Sequence, residues 1–150
     1  MSDCRTCELI ERRDRGEAPP WDSILRTDRW DVVHAYDTSH EGWLVLVVRR
    51  HIGSVADLTE DEAVELGRLI RSVSQALQVV LGCPKTYVVQ LAEHPLHPHV
   101  HVHVIARPDD LPKLHRGPGI FAKLGVVKSA RVTEDRMDEI AHALRDAVEI

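Results

Sequence analysis

Apolar and β-branched residues gather in two early runs, Trp30–Tyr36 and Trp43–Arg49, with the polar stretch Asp37–Gly42 between them. Short runs of this composition around a polar break predict a β-hairpin. The period then changes. Ala63, Leu66, Ile70, Val73, Leu77, Val80 and Leu81 recur at the three- and four-residue steps of one helix face. Thr59 and Glu62 form a capping box ahead of that stripe, with Glu60 and Asp61 placing negative charge at the helix start, while Gly82 and Pro84 stop it. Thr86–Ala92 and Val100–Ala106 return to strand composition. A loop punctuated by Pro108, Pro112, Gly117, Pro118 and Gly119 follows. The last helix is predicted from Glu134 to Val148, with Thr133 as its cap and Met137, Ile140, Ala141, Leu144 and Val148 inward. Upstream, Gly16, Pro19 and Pro20 mark a loop after a short N-terminal helix or turn. Strand, strand, helix, strand, strand, helix is an α+β order with a mainly antiparallel sheet. No repeat or linker divides it, so residues 1–150 read as a single domain.

Composition narrows the function classes. Hydrophobic residues at 43% and charged residues at 29% exclude a disordered or fibrous chain. Nineteen Lys and Arg against 24 Asp and Glu leave a net charge of −5, which argues against nucleic acid as the partner. No apolar run approaches the ~18–20 residues of a membrane span, and the opening residues lack the apolar centre of a signal peptide. The expectation is a cytoplasmic protein with no membrane partner. Two of the three cysteines, Cys4 and Cys7, are spaced as half of a zinc site. An odd cysteine count without an export signal argues against a disulfide framework and leaves metal or redox chemistry open. Cys83, just after the helix stop, reads as a packing residue.

Ten histidines are present, and five of them (His94, His97, His99, His101 and His103) fall within one ten-residue window. The run His99-Val100-His101-Val102-His103-Val104-Ile105 alternates strictly. In a strand, residues two apart share a face at ~6.6–6.8 Å. Three imidazoles are therefore expected on one face, with Val100, Val102 and Val104 packed behind. A row of imidazoles fits two chemistries. Two neighbours could share a zinc, but the outer pair, ~13 Å apart on an ideal strand, is too far apart to bind one ion. Phosphate chemistry uses all three: a central neutral imidazole attacks phosphorus while its neighbours hold the non-bridging oxygens.

The run HVHVHVI, followed by Ala106-Arg107, resembles the His-φ-His-φ-His-φ-φ signature of the histidine triad (HIT) superfamily of nucleotide hydrolases and transferases, and in particular its bacterial zinc-containing, diadenosine polyphosphate hydrolase-like members. Ala35–Ser39 is similar to the family's Asp-containing turn, Leu44–His51 to its second strand, and Thr86–Leu91 to the strand before the triad. The resemblance is strongest over residues 4–107, with residues 108–150 as a C-terminal loop and helix. It implies a five-stranded, mainly antiparallel sheet with two principal helices. It also implies cleavage at the α-phosphate of a nucleotide, either a dinucleoside polyphosphate or a nucleoside phosphoramidate, through a nucleotidyl-histidine intermediate. Carried over by position, His101 is the nucleophile, and His99 and His103 orient it or contact phosphate oxygens. Gln90 contacts phosphate, and Asp37 takes the ribose hydroxyls. His97-Pro98-His99 is similar to the His-Pro-His of the nucleotidylyltransferase branch, which would make His99 the nucleophile. That branch continues with Gly-Gln, however, and Val100-His101 does not.

The chain departs from the family between the two strands. Leu91–Pro98 replaces an Asn-x-Gly and a Gly-Gln segment, so phosphate donors are missing there or are supplied by His97; His94 reads as a loop histidine. The resemblance further implies a structural zinc on Cys4, Cys7, His51 and His99, with His40 as the alternative to His51 and no organic cofactor. A nucleotide-binding regulatory protein of slow turnover and a zinc-dependent hydrolase using His99 and His101 are the competing classes. Triad proteins of this type pair as homodimers. Consistent with that, Ile120 and Phe121 sit in a loop where large apolar groups need cover, either from a partner or from the chain's own nucleotide pocket.

Overall fold

The computed structural model describes residues 3–149. Three α-helices are found there: α1 (Arg5–Asp14), α2 (Glu60–Leu81) and α3 (Glu134–Ala147). Five strands, β1 (Leu25–Arg26), β2 (Trp30–His34), β3 (Trp43–Val48), β4 (Lys85–Gln90) and β5 (His101–Arg107), form one sheet of order β1-β2-β3-β5-β4. Every pairing is antiparallel.

Alternation along each strand sends two sets of side chains to opposite faces. Val32, Leu44, Leu46, Val48, Val102, Val104 and Ala106 form the main core with Leu69, Val73, Ala76 and Leu77 of α2 and Ile140, Ala141 and Leu144 of α3. The other face carries Val33, Val47 and Trp43, covered in part by Ile10 of α1 and by Ile120. The helix ends follow from sequence chemistry. The Thr59 hydroxyl accepts from the Glu62 amide and Glu62 returns a bond to the Thr59 amide, completing the capping box. Gly82 closes α2 at φ 67°, in the left-handed region that glycine enters freely.

One open expectation is resolved and two elements differ from expectation. The N-terminal helix or turn is a helix of 10 residues, held down by Arg13, whose side chain is only 1% exposed and which pairs with Asp22 and Asp31. The connection from β4 to β5 is a long loop (residues 91–100) that takes in the first histidine of the row. As a result β5 begins at His101, and His99 lies outside the strand. The long segment after β5 is built from short 3-10 turns, and a bridge from Leu124 to Thr38 stitches it to the turn before β3.

Candidate active site

The sheet face away from α2 and α3 holds a pocket with a volume of about 200 Å³. Val33, Val45 and Val47 form its floor, Leu9 and Phe121 wall it, and Tyr36, Asp37, His94 and His97 lie at its rim. His101 and His103 enter from β5.

Each histidine is held in a defined tautomer. His101 Nδ1–H donates to the His99 carbonyl at 2.6 Å, which leaves the Nε2 lone pair as the reactive atom. Burial lowers the pKa of His101, with the His99 hydrogen bond acting in the opposite direction, which favours the neutral ring. His103 receives the Trp43 indole N–H on Nδ1 at 2.9 Å, and burial followed by His101 brings its pKa down to about 4. The two rings meet edge to face with centroids 5.1 Å apart.

His99 does something different. Its Nε2–H donates to the Val48 carbonyl at 2.6 Å, and its Nδ1 turns away from the pocket toward α1. There it lies 3.6 Å from both Cys4 Sγ and Cys7 Sγ and 3.1 Å from His51 Nδ1, which is itself 3.3 Å from Cys7 Sγ. The four ligand atoms lie within 4.8 Å of one another. Metal bonds of ~2.3 Å to sulfur and ~2.0–2.1 Å to nitrogen give a tetrahedron with edges of about 3.3–3.8 Å, and the 3.1–3.6 Å separations around His99 and His51 lie near that range. The donor set suits a closed zinc site, with the Val48 carbonyl as the outer partner that orients the His99 ring.

Of the expected residues, then, His101, His103, Asp37 and His97 come together at the pocket, while His99 joins Cys4, Cys7 and His51. His40 does not belong to that cluster. It is buried beside the turn before β3 and donates Nε2–H to the Ala106 carbonyl at 2.6 Å. Gln90 does not reach the pocket either. It pairs with Val102, and directly opposed residues of an antiparallel pair share a face. That face is the one packed on α2. Leu91 and Glu93 of the loop line the pocket in its place, around Ala92, which holds a left-handed φ of 58°. Ile120 is 1% exposed within the chain's own core and Phe121 walls the pocket, so this loop covers its own site.

Four contributors lie beyond the sequence reading. Tyr36 OH and Thr6 Oγ1 hold His97 from both sides, at 3.0 Å from Nε2 and 2.7 Å from Nδ1. His34 is buried with Nδ1–H on the Ala35 carbonyl and Nε2 accepting from the Gly42 amide, and burial holds its pKa near 4. From the sequence Trp43 reads only as a strand residue, yet its indole N–H reaches His103. The contacts of Thr6 and Trp43 cross distant parts of the chain and leave no local signal.

The family model of the HIT domain matches residues 18–110. The chain belongs to the HIT family. Solved structures agree on the fold of this HIT protein. A histidine triad protein from Bradyrhizobium japonicum is 26% identical with a TM-score of 0.69, over 85% of this chain and 90% of that one. One from Sinorhizobium meliloti is 24% identical with a TM-score of 0.68, over 84% and 88%. A zinc-bound histidine triad family protein from Mycobacterium smegmatis is 16% identical with a TM-score of 0.67, over 96% and 91%. No curated protein matches the sequence at a significant level.

Proposed function

We propose that this HIT protein is a nucleotide hydrolase or transferase that acts at the α-phosphate of a dinucleoside polyphosphate or a nucleoside phosphoramidate. The observation that carries the reading is His101, whose Nδ1–H is committed to the His99 carbonyl while the ring lines the pocket beside His103. The apolar floor of Val33, Val45 and Val47 receives the nucleoside and Asp37 at the rim takes the ribose hydroxyls. His101 Nε2 attacks the phosphorus, the leaving group departs on the opposite side, and water then releases the nucleotide from His101. His103, as an N–H donor, contacts phosphate oxygens, while His97, whose two ring nitrogens are taken by Tyr36 and Thr6, shapes the rim of the pocket. Gln90, on the opposite face of the sheet, has no part in this scheme.

Cys4, Cys7, His51 and His99 would hold a zinc ion, which supplies structure by tying α1 to the ends of the strands. The zinc-bound relative from Mycobacterium smegmatis supports that assignment. A zinc hydrolase using His99 and His101 is disfavoured, because His99 Nδ1 faces the cysteines and His101 Nδ1 is occupied by a hydrogen bond. The slow-turnover binder keeps one observation in its favour, the rebuilt loop 91–98 around Ala92. A panel of fluorogenic adenosine phosphoramidates and dinucleoside polyphosphates separates the two. Multiple turnovers are expected, and tight binding with less than one turnover per site would favour the binder. We further propose a homodimer, paired through the β4 edge, where Val88 and Leu91 are 47% and 56% exposed.

A further inference from the structure

Trp43 opens β3 and is completely buried, yet its one polar atom is spent on the site. The indole N–H can only donate. At 2.9 Å from His103 Nδ1 it requires a lone pair there, so the proton of the neutral ring sits on Nε2. The indole is wedged in place: Phe121 meets it edge-on at 5.3 Å, His103 at 5.7 Å and His40 at 6.4 Å. Turning His103 into an imidazolium would set two N–H donors against each other in a site where His103 is only 7% exposed.

We propose that Trp43 is a positioning residue that keeps His103 as the neutral Nε2–H tautomer, so that the site expels phosphate-oxygen leaving groups in preference to amines. The inference rests on the nucleotidyl-transfer reading above. When the Nε2 lone pair of His101 forms the N–P bond, the electron pair of the breaking P–O bond stays on the departing phosphate oxygen. That oxygen needs no proton near neutral pH, since the second phosphate pKa is about 6. Breaking a P–N bond instead leaves the pair on nitrogen, which must gain a proton to depart as an amine. His103 cannot supply it, because giving up the Nε2 proton while Nδ1 still accepts from Trp43 would leave a buried imidazolate. His103 therefore stabilises charge on the phosphoryl oxygens by donating a hydrogen bond, and it transfers no proton.

The test has two arms. Nitrogen-15 spectra of the histidine rings in the intact protein at pH 7 should show His103 with Nε2 protonated and Nδ1 bare. In Trp43→Phe, which keeps an aromatic ring and removes the donor, a mixture of tautomers should appear. With adenosine 5′-phosphoanhydride and adenosine 5′-alkylphosphoramidate substrates, kcat should favour the anhydride by about 100-fold, the low end of what a general acid supplies. Trp43→Phe should lower kcat on the anhydride by about tenfold with little change in KM, the mark of a contact made in the transition state. A wild-type spectrum with Nδ1 protonated, or equal turnover of the two substrates, would overturn the proposal. If neither substrate turns over, the assigned activity fails and the leaving-group preference fails with it, while the wild-type ring spectrum still decides the role of Trp43 without relying on any variant.

Discussion

His101 is tied to the backbone through one ring nitrogen and presents the other to the pocket, the arrangement a nucleophile needs. Removing it while leaving the apolar floor intact separates chemistry from binding. In His101→Gly, turnover should fall by several orders of magnitude while nucleotide affinity changes little, as single-turnover kinetics and equilibrium titration would report. A variant that loses affinity in proportion to turnover would place His101 in binding instead. At this scale much was legible in the sequence, because strict alternation from His101 to Ile105 fixes which side chains share a face. Two features were not. His99 keeps the spacing of the row but leaves the strand, because its ring is drawn to the cysteines of α1 and its Nε2–H to Val48, contacts more than 50 residues away along the chain. Gln90 is assigned to phosphate by the family resemblance alone, yet the pairing of β4 with β5 puts it level with Val102 and so on the far face.

Among the elements, α2 and α3 read directly from helical spacing and Thr caps, and the structure places their apolar stripes against the sheet. The 3-10 turns after β5 did not, since their order comes from backbone bonds to the Asp37–Ser39 turn and not from any periodicity. The start of α2 gives a pH prediction. Hydrogen bonding to Arg50, with further help from the Thr59 amide and against some burial, brings the Glu62 pKa down from 4.5 to about 2. A carboxylate with a depressed folded pKa stabilises the fold above its unfolded pKa and loses that contribution as the pH falls. Stability should thus decline between about pH 4.5 and 2 on this group's account, and Glu62→Gln should flatten that part of the acid limb in denaturant titrations. An unchanged acid limb would show that Glu62 is not the group responsible. The Cys/His cluster links α1 to the residues flanking β3 and β5. Protein purified without chelator should carry one zinc per chain, and Cys4→Ser with Cys7→Ser should lose it. Tm should then drop by on the order of 10 °C, the shift that about 3 kcal/mol produces in a chain of this size. Elemental analysis finding no zinc in the wild-type protein would contradict the assignment.

For the whole molecule, one continuous sheet carries the core on one face and the site on the other, so the elements that stabilise the fold also set the spacing of the histidines. Sequence order and hydrophobic pattern gave the α+β class and the antiparallel sheet, but not the order in which β5 inserts between β3 and β4. That insertion leaves β4 at an edge, and light scattering at micromolar concentration should return twice the 16.9 kDa chain mass. A monomer would leave that edge bare and remove the proposed pairing. The central claim, that nucleotide transfer passes through the middle histidine of the row, is tested most directly by trapping the intermediate. Acid-stable derivatisation is unsuited to a phosphorus–nitrogen bond, so the adduct should be quenched at alkaline pH, digested and mapped by mass spectrometry. A nucleotidyl group on His101 is the expected result, and an adduct on His99, or on any other histidine, would contradict the mechanism.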